Sequence, residues 1–103
     1  MNRYEGLAIA RRFRDVLLAR GYPVHRVVVF GSVARGEATA DSDLDIAVVC
    51  DPFARTRQAE NIALRKLCWE VDVRIEPVCL HPADFGRAGY GLPAEVLKEG
   101  VAV

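Results

Sequence analysis

The stretch "VVVFGSVARGEATADSDLDIAVV", residues 27–49, decides the fold of this chain. It opens with a β-branched run that stops at Gly31-Ser32, and it closes with an apolar run that carries Asp43 and Asp45. Glycine directly after an apolar run predicts the end of a buried strand. The two aspartates stand where a strand buries apolar side chains, which is costly unless something pairs them. The stretch therefore predicts two strands whose junction has a chemical role.

The two halves of the stretch are suited to bind phosphate groups and the cations that accompany them. Asp43 and Asp45 share a strand face with Cα atoms roughly 7 Å apart, and hard carboxylate oxygens of this kind suit Mg²⁺ beside substrate phosphates. The segment after Gly31 can form one helical turn whose amide groups attract phosphate, and the Ser32 hydroxyl can donate to a phosphate oxygen. If the two strands pair, the first half holds a triphosphate and the second half holds the cations that bridge it.

The rest of the chain predicts an alternation of helices and strands. Apolar residues at helical spacing predict an amphipathic helix over 3–20 and a second long helix over 53–70, on either side of strands over 25–30 and 43–50. Strict alternation predicts a half-buried strand over 71–80, with Pro77 favouring a sheet edge. Pro82 and Pro93 predict short helical turns, and the glycine-rich segment 86–91 predicts a mobile loop.

A third acid stands in the alternating segment 71–80. Asp72, Arg74 and Glu76 have the same phase, opposite to that of Val71, Val73 and Ile75. If this strand lies beside the one that carries the first two aspartates, Asp72 completes a metal site and can accept a proton from an attacking hydroxyl.

Composition predicts an ordinary globular protein with a single domain over 1–103. Basic and acidic residues cancel at 14 each, so net charge indicates neither nucleic acid nor a membrane as a partner. The three cysteines, at 50, 68 and 79, form no C-x-x-C pair and favour buried reduced thiols. Arg11, Arg12 and Arg14 interrupt the apolar residues of the first segment, which fits neither a signal peptide nor a membrane span, so we expect a cytoplasmic protein.

The motif "GSVARGEATADSDLDIAVV" resembles the nucleotidyltransferase signature, in which a glycine-serine pair precedes an acid-apolar-acid triplet by about ten residues. The "GSxARG" and "SDLD" variants are similar to those of minimal nucleotidyltransferases, small chains of the DNA polymerase β superfamily. The order of elements extends the likeness to about residue 80. The resemblance implies an α/β (α+β) polymerase β-like fold, a short mixed β-sheet flanked by helices.

The same resemblance implies an activity and its residues. A nucleoside monophosphate, AMP from ATP in our expectation, would pass to a hydroxyl with two Mg²⁺ ions bound. Gly31 and Ser32 would bind the triphosphate, while Asp43 and Asp45 hold both metals. From its position after the turn, Arg35 would either join them in binding the nucleotide or cap the turn. Asp72 would ligate the catalytic metal and help to deprotonate the acceptor.

The resemblance also implies a partner, because many small members are antitoxins paired with an all-helical HEPN-type toxin. Some of them inactivate that toxin by adenylylating one of its tyrosines. Two alternatives stay open: a catalytically silent nucleotide-binding antitoxin that neutralises its partner by binding alone, and a small-molecule nucleotidyltransferase. All three acids favour the enzyme, and the short chain disfavours the last alternative.

Overall fold

A four-stranded mixed sheet forms the centre of the molecule, in a computed structural model that describes residues 1–87 and 89–103. The elements in chain order are α1 (Arg3–Ala19), β1 (Val24–Phe30), α2 (Gly31–Arg35), β2 (Leu44–Cys50), α3 (Arg57–Cys68), β3 (Ile75–Leu80), a 3₁₀ helix (Pro82–Arg87), α4 (Gly91–Glu99) and β4 (Val101–Ala102). The predicted fold class, a short mixed sheet flanked by helices, is confirmed.

The strand order is β3-β2-β1-β4. β1 pairs antiparallel with both β2 and β4, whereas β2 pairs in parallel with β3. The parallel pair is joined through α3, because parallel strands need a long crossover. β3 lies at an edge, as Pro77 predicts, since proline cannot donate to a further strand.

The two faces of the sheet bury different helices. On the first face, Phe13 and Leu17 of α1 and Leu64 of α3 pack with Val27, Ile46 and other inward residues of the strands. On the second face, a smaller cluster joins Val96 of α4 to Val28, Phe30, Ala47, Val49 and Leu80. The alternation along β2 puts Asp45 on the second face, in phase with Ala47 and Val49.

Two predicted boundaries are wrong. The second long helix begins at Arg57 rather than at residue 53, because Thr56 caps it: the Thr56 hydroxyl accepts from the backbone N–H of Ala59 at 3.0 Å. The strand predicted over 71–80 begins only at Ile75. The loop predicted over 86–91 is shorter than expected, because Gly86 and Arg87 belong to the 3₁₀ helix and Gly91 begins α4, while Ala88 lies outside the described residues.

The cysteines are buried free thiols, as predicted. Burial, followed by a hydrogen bond with Cys79, raises the pKa of Cys50 to about 12, so this thiol stays protonated at neutral pH. Across residues 1–87 and 89–103, no helix combines the length and the apolar character needed to cross a bilayer.

Candidate active site

The end of β1 and the start of β2 meet at one end of the sheet. Phe30, the last residue of β1, lies opposite Asp45 in the antiparallel register, and the chain turns into α2 directly after it. Gly31 has a φ of 73°, and a Cβ built on it would overlap Oδ2 of Asp45. Only glycine provides both the left-handed backbone and the room for this carboxylate. The turn therefore lies directly against the Asp45 carboxylate.

Three carboxylates gather at this end of the sheet. Asp43 is exposed just before β2, and Asp45 is partly buried two residues later. The parallel register places Glu76 of β3 directly opposite Asp45, in the same phase. Burial, followed by the charges of Asp43, Glu76 and Glu95, raises the pKa of Asp45. Oε2 of Glu76 also accepts from Arg65 Nη2 at 3.2 Å, which neutralises part of the charge. The cluster is thus a set of hard oxygen donors whose remaining repulsion a cation would relieve.

The prediction that Asp72 stands on the strand beside Asp45 is wrong, because Asp72 lies in the loop before β3. Oδ1 of Asp72 accepts from the backbone N–H and Nε of Arg74 at 2.9 and 3.0 Å, and Oδ2 accepts from Nη2 at 2.9 Å. The hydrogen bonds from Arg74 lower the pKa of Asp72. Arg74 also pairs with Glu5 of α1 at 2.9 Å, so these contacts fasten the loop to α1.

Glu76 is therefore the third acid that the structure brings to the aspartates. The sequence contains the signal for it, because Glu76 has the phase of Asp72 and stands between Ile75 and Pro77. The sequence does not indicate that the strand begins only at Ile75. Regular alternation continues through residues 71–74 although these residues form no strand.

Two of the predicted nucleotide-binding residues lie on the turn after Gly31. Ser32 is partly exposed, its backbone carbonyl accepts from the N–H of Glu37 at 2.9 Å, and its hydroxyl has no partner among the described residues. Arg35 ends α2, and its positive charge lowers the pKa of Asp45 against the larger effects that raise it. Arg35 therefore lies close enough to the carboxylate cluster for its charge to act on Asp45.

The carboxylate set fits a divalent cation on chemical grounds. Mg²⁺ selects carboxylate oxygens and completes its shell with water and substrate phosphates. Asp43, Asp45 and Glu76 provide such oxygens, and the adjacent Gly31-Ser32 turn leaves a partly exposed hydroxyl for phosphate. The residues present thus match the donor chemistry that a metal-bridged triphosphate requires.

A second polar cluster lies beyond the carboxyl end of β3, where one ligand atom each of Glu60, Cys79 and His81 lies within 4.8 Å of the others. Arg57 Nη2 donates to His81 Nδ1 at 2.8 Å, so the ring proton is on Nε2, which donates to Glu60 Oε1 at 2.8 Å. The Nε2 lone pair that a metal needs is therefore not present.

Glu60 is the only buried charged residue in the described part of the chain, with 1% of its surface exposed. Burial raises its pKa, but hydrogen bonds from the Phe53 N–H at 2.7 Å and from His81 outweigh burial, and the net shift is downward. The cluster is accordingly a hydrogen-bonded support that ties α3 to the segment after β3.

Comparison with known proteins identifies the family of the chain. The sequence profile of the nucleotidyltransferase domain family matches residues 10–101, and the chain belongs to this family. No curated protein sequence matches the chain significantly.

Solved structures show the same fold at low identity. A protein from Sulfolobus solfataricus, assigned as a nucleotidyltransferase, is similar with a TM-score of 0.69 and 18% identity, over 97% of this chain and 80% of that one. A toxin-antitoxin structure with AMP-PNP has a TM-score of 0.65 and 22% identity, over 90% of this chain and 70% of that one. An MntA-HpeT toxin-antitoxin structure has a TM-score of 0.62 and 23% identity, over 90% and 69%.

Proposed function

We propose that this chain transfers a nucleoside monophosphate from a nucleoside triphosphate, ATP in our proposal, to a hydroxyl group in a divalent-metal-dependent reaction. The observation that carries the proposal is the meeting of the Gly31 turn with the Asp45 carboxylate at one end of the sheet. This contact supports the proposal, because the turn that would bind phosphate lies directly against the acid that would hold a metal. Family membership supports the reaction class.

Each residue has a role that follows from its chemistry. The Gly31 turn and the Ser32 hydroxyl would bind the triphosphate, and Arg35 would neutralise part of its charge. Asp43 and Asp45 would hold two Mg²⁺ ions, and Glu76 would replace Asp72 as the third acid. The ions would supply charge neutralisation on the phosphate oxygens and a lower pKa for the acceptor hydroxyl.

The bond changes balance without any further reagent. The acceptor oxygen attacks the α-phosphorus while the bond from that phosphorus to the bridging oxygen of pyrophosphate breaks. Glu76 or Asp45 would accept the hydroxyl proton, either directly or through water. The products are the nucleotidylated acceptor and pyrophosphate.

We place the acceptor hydroxyl on a partner protein, a tyrosine of a HEPN-type toxin. Two toxin-antitoxin structures share the fold, one of them with AMP-PNP, and this likeness supports a partner of that kind. Exposed apolar side chains near the start of α1 and in the α3–β3 loop give the chain contact surface for it: Tyr4 is 87% exposed and Val73 is 78% exposed. Neutralisation by binding alone is the competing outcome.

The test is transfer of radiolabel with ATP labelled at either the α- or the γ-phosphate, in Mg²⁺, with a HEPN-type toxin as the acceptor protein. We expect α-label on the toxin, no γ-label, and release of one pyrophosphate for each label. A toxin whose candidate tyrosine is replaced by phenylalanine is the matched control. Toxin neutralised without any α-label would support occlusion and contradict the transfer.

A further inference from the structure

Two carboxylates from different elements hold the guanidinium of Arg35. Arg35 Nε donates to Glu37 Oε2 at 3.1 Å, and Arg35 Nη1 donates to Glu99 Oε2 at 2.9 Å. Glu37 follows α2 closely in sequence, whereas Glu99 is the last residue of α4, 64 residues away. A flexible arginine at the end of a short helix is thus held at two points.

The backbone around Glu99 is fixed against β1. A Cβ built on Gly100 would overlap both the Val96 carbonyl oxygen and the Val28 side chain, so the chain passes β1 without room for a side chain. Val101 of β4 then pairs with Val29, one residue before the end of β1. Glu99 therefore reaches Arg35 from a rigid base, and its side chain is only 28% exposed.

The contacts leave one edge of the guanidinium open. Nε and Nη1 are engaged, while Nη2 has no acceptor among the described residues. Arg35 ends α2, the five-residue helix that begins at Gly31 against the Asp45 carboxylate. Arginine presents its donors in a planar fork, so fixing two nitrogens also fixes the direction of the third.

We propose that Glu99, together with Glu37, positions Arg35 so that Nη2 contacts the triphosphate of the bound nucleotide. The proposal rests on the proposed function and assigns α4 a part in nucleotide affinity. Glu99 is a positioning residue, because it acts through Arg35. The opposite arrangement, in which the two carboxylates compete with phosphate for Arg35, predicts an effect of opposite sign.

The experiment is a titration of Glu99→Gln with two probes, Mg²⁺ with α,β-methylene ATP and Mg²⁺ with inorganic tripolyphosphate. Glutamine keeps the length of the side chain but removes its charge. We expect the dissociation constants for both probes to rise by about two- to fivefold, the range for loss of a partly exposed ion pair. Glu37→Gln is the second variant and should act in the same direction.

The matched control is Glu70→Gln, which breaks the 2.9 Å pair with Arg20. That pair joins α1 to the residues after α3, the two helices on the opposite face of the sheet, so its loss should leave both dissociation constants unchanged. In an Arg35→Gln background, Glu99→Gln should have no further effect, because the residue through which it acts is absent. A merely structural role for Glu99 would persist in that background.

Three results overturn the inference: tighter binding in Glu99→Gln, no difference from Glu70→Gln, or an undiminished effect in the Arg35→Gln background. Each of them leaves the proposed function intact if the wild-type chain binds the nucleotide and loses transfer on Asp45→Asn. A wild-type chain that binds neither probe would overturn both proposals together. Melting temperatures of all variants identify any loss of the fold.

Discussion

At the scale of single residues, one contact defines the site. The Asp45 carboxylate lies in the space that a side chain at position 31 would fill, and Gly31 is held at a φ of 73°. Asp45 is consequently partly desolvated and close to two other acids, which raises its pKa. The glycine and the aspartate therefore depend on each other, and each can be tested by substitution.

Gly31→Ala should destabilise the fold by roughly 2 to 5 kcal/mol, because it combines a left-handed alanine with an overpacked contact. Gly36→Ala is the control: Gly36 has a similar φ of 74°, but no atom lies within 4 Å of the point that a Cβ would occupy there. We expect only the backbone cost at this second position, roughly 1 to 2 kcal/mol. Equal losses in urea denaturation would show that Asp45 does not crowd position 31.

Asp45→Asn should raise the melting temperature in EDTA while abolishing transfer. The amide has nearly the shape of the carboxylate, but it removes a partly buried charge that Asp43 and Glu76 repel. Thermal unfolding with and without Mg²⁺ measures this, and Mg²⁺ should stabilise the wild type more than the variant. Normal turnover by Asp45→Asn would remove Asp45 from the site.

At the scale of elements, the start of β3 decides which acid faces Asp45. Alternation alone predicts a strand from residue 71, but β3 begins only at Ile75. The loop before it is held against α1 by side-chain contacts. Arg12 Nη2 donates to the Val71 carbonyl at 2.9 Å, and Arg74 joins Asp72 to Glu5. The contacts with Arg12 and Glu5 join residues far apart in sequence. No local pattern could therefore indicate that residues 71–74 form a loop rather than a strand.

Glu76→Gln and Asp72→Asn should therefore give opposite results. We expect Glu76→Gln to lower the transfer rate by about 10²-fold or more, since it removes a metal ligand or base, with little change in stability. Asp72→Asn should keep transfer but lower the melting temperature, because it weakens the hydrogen bonds with Arg74. A transfer defect confined to Asp72→Asn would restore that residue to the site.

The stability difference between wild type and Asp72→Asn should also depend on pH. The folded protein lowers the pKa of Asp72, so the unfolded chain binds the proton more readily. The stabilising contribution of the Asp72 carboxylate is complete when the pH is above about 4, the pKa of an aspartate in the unfolded chain. It is lost as the pH falls through the lower pKa that Asp72 has in the folded protein. Denaturation from pH 7 to pH 3 measures this, and a constant difference would contradict the ion pair.

The hydrogen-bonded cluster around α3 gives a separate prediction. Glu60→Gln should cost about 1 to 3 kcal/mol, because its one amide oxygen can accept from either the Phe53 N–H or His81 Nε2, and the N–H₂ group must face the other donor. Nucleotide affinity should not change, since the cluster lies beyond the opposite end of β3. Urea denaturation and nucleotide titration of the same variant measure both. Loss of affinity at unchanged stability would assign the cluster a direct role in binding.

At the scale of the whole molecule, the two faces of the sheet differ: one face buries the larger core, and the other carries residues of the candidate active site. α1 and α3 cover one face with the larger core, whereas Asp45 and Glu76 are in phase with the residues of the second face, on which α4 packs. Strong local patterns in the sequence predict the element order and the positions of the Gly31 turn and of Asp45, whereas the mixed sheet is implied by the family resemblance. The sequence does not indicate β4, which has only two residues, or the approach of Glu95 and Glu99, because helix packing across the sheet has no local signature.

The most direct test of the central claim is anomalous scattering from Mn²⁺ in crystals of the chain with α,β-methylene ATP. We predict manganese peaks bounded by Asp43, Asp45 and Glu76, with the triphosphate on the turn from Gly31 to Arg35. Manganese bound through Asp72, or at the Glu60, Cys79 and His81 cluster with none beside Asp45, would contradict the account.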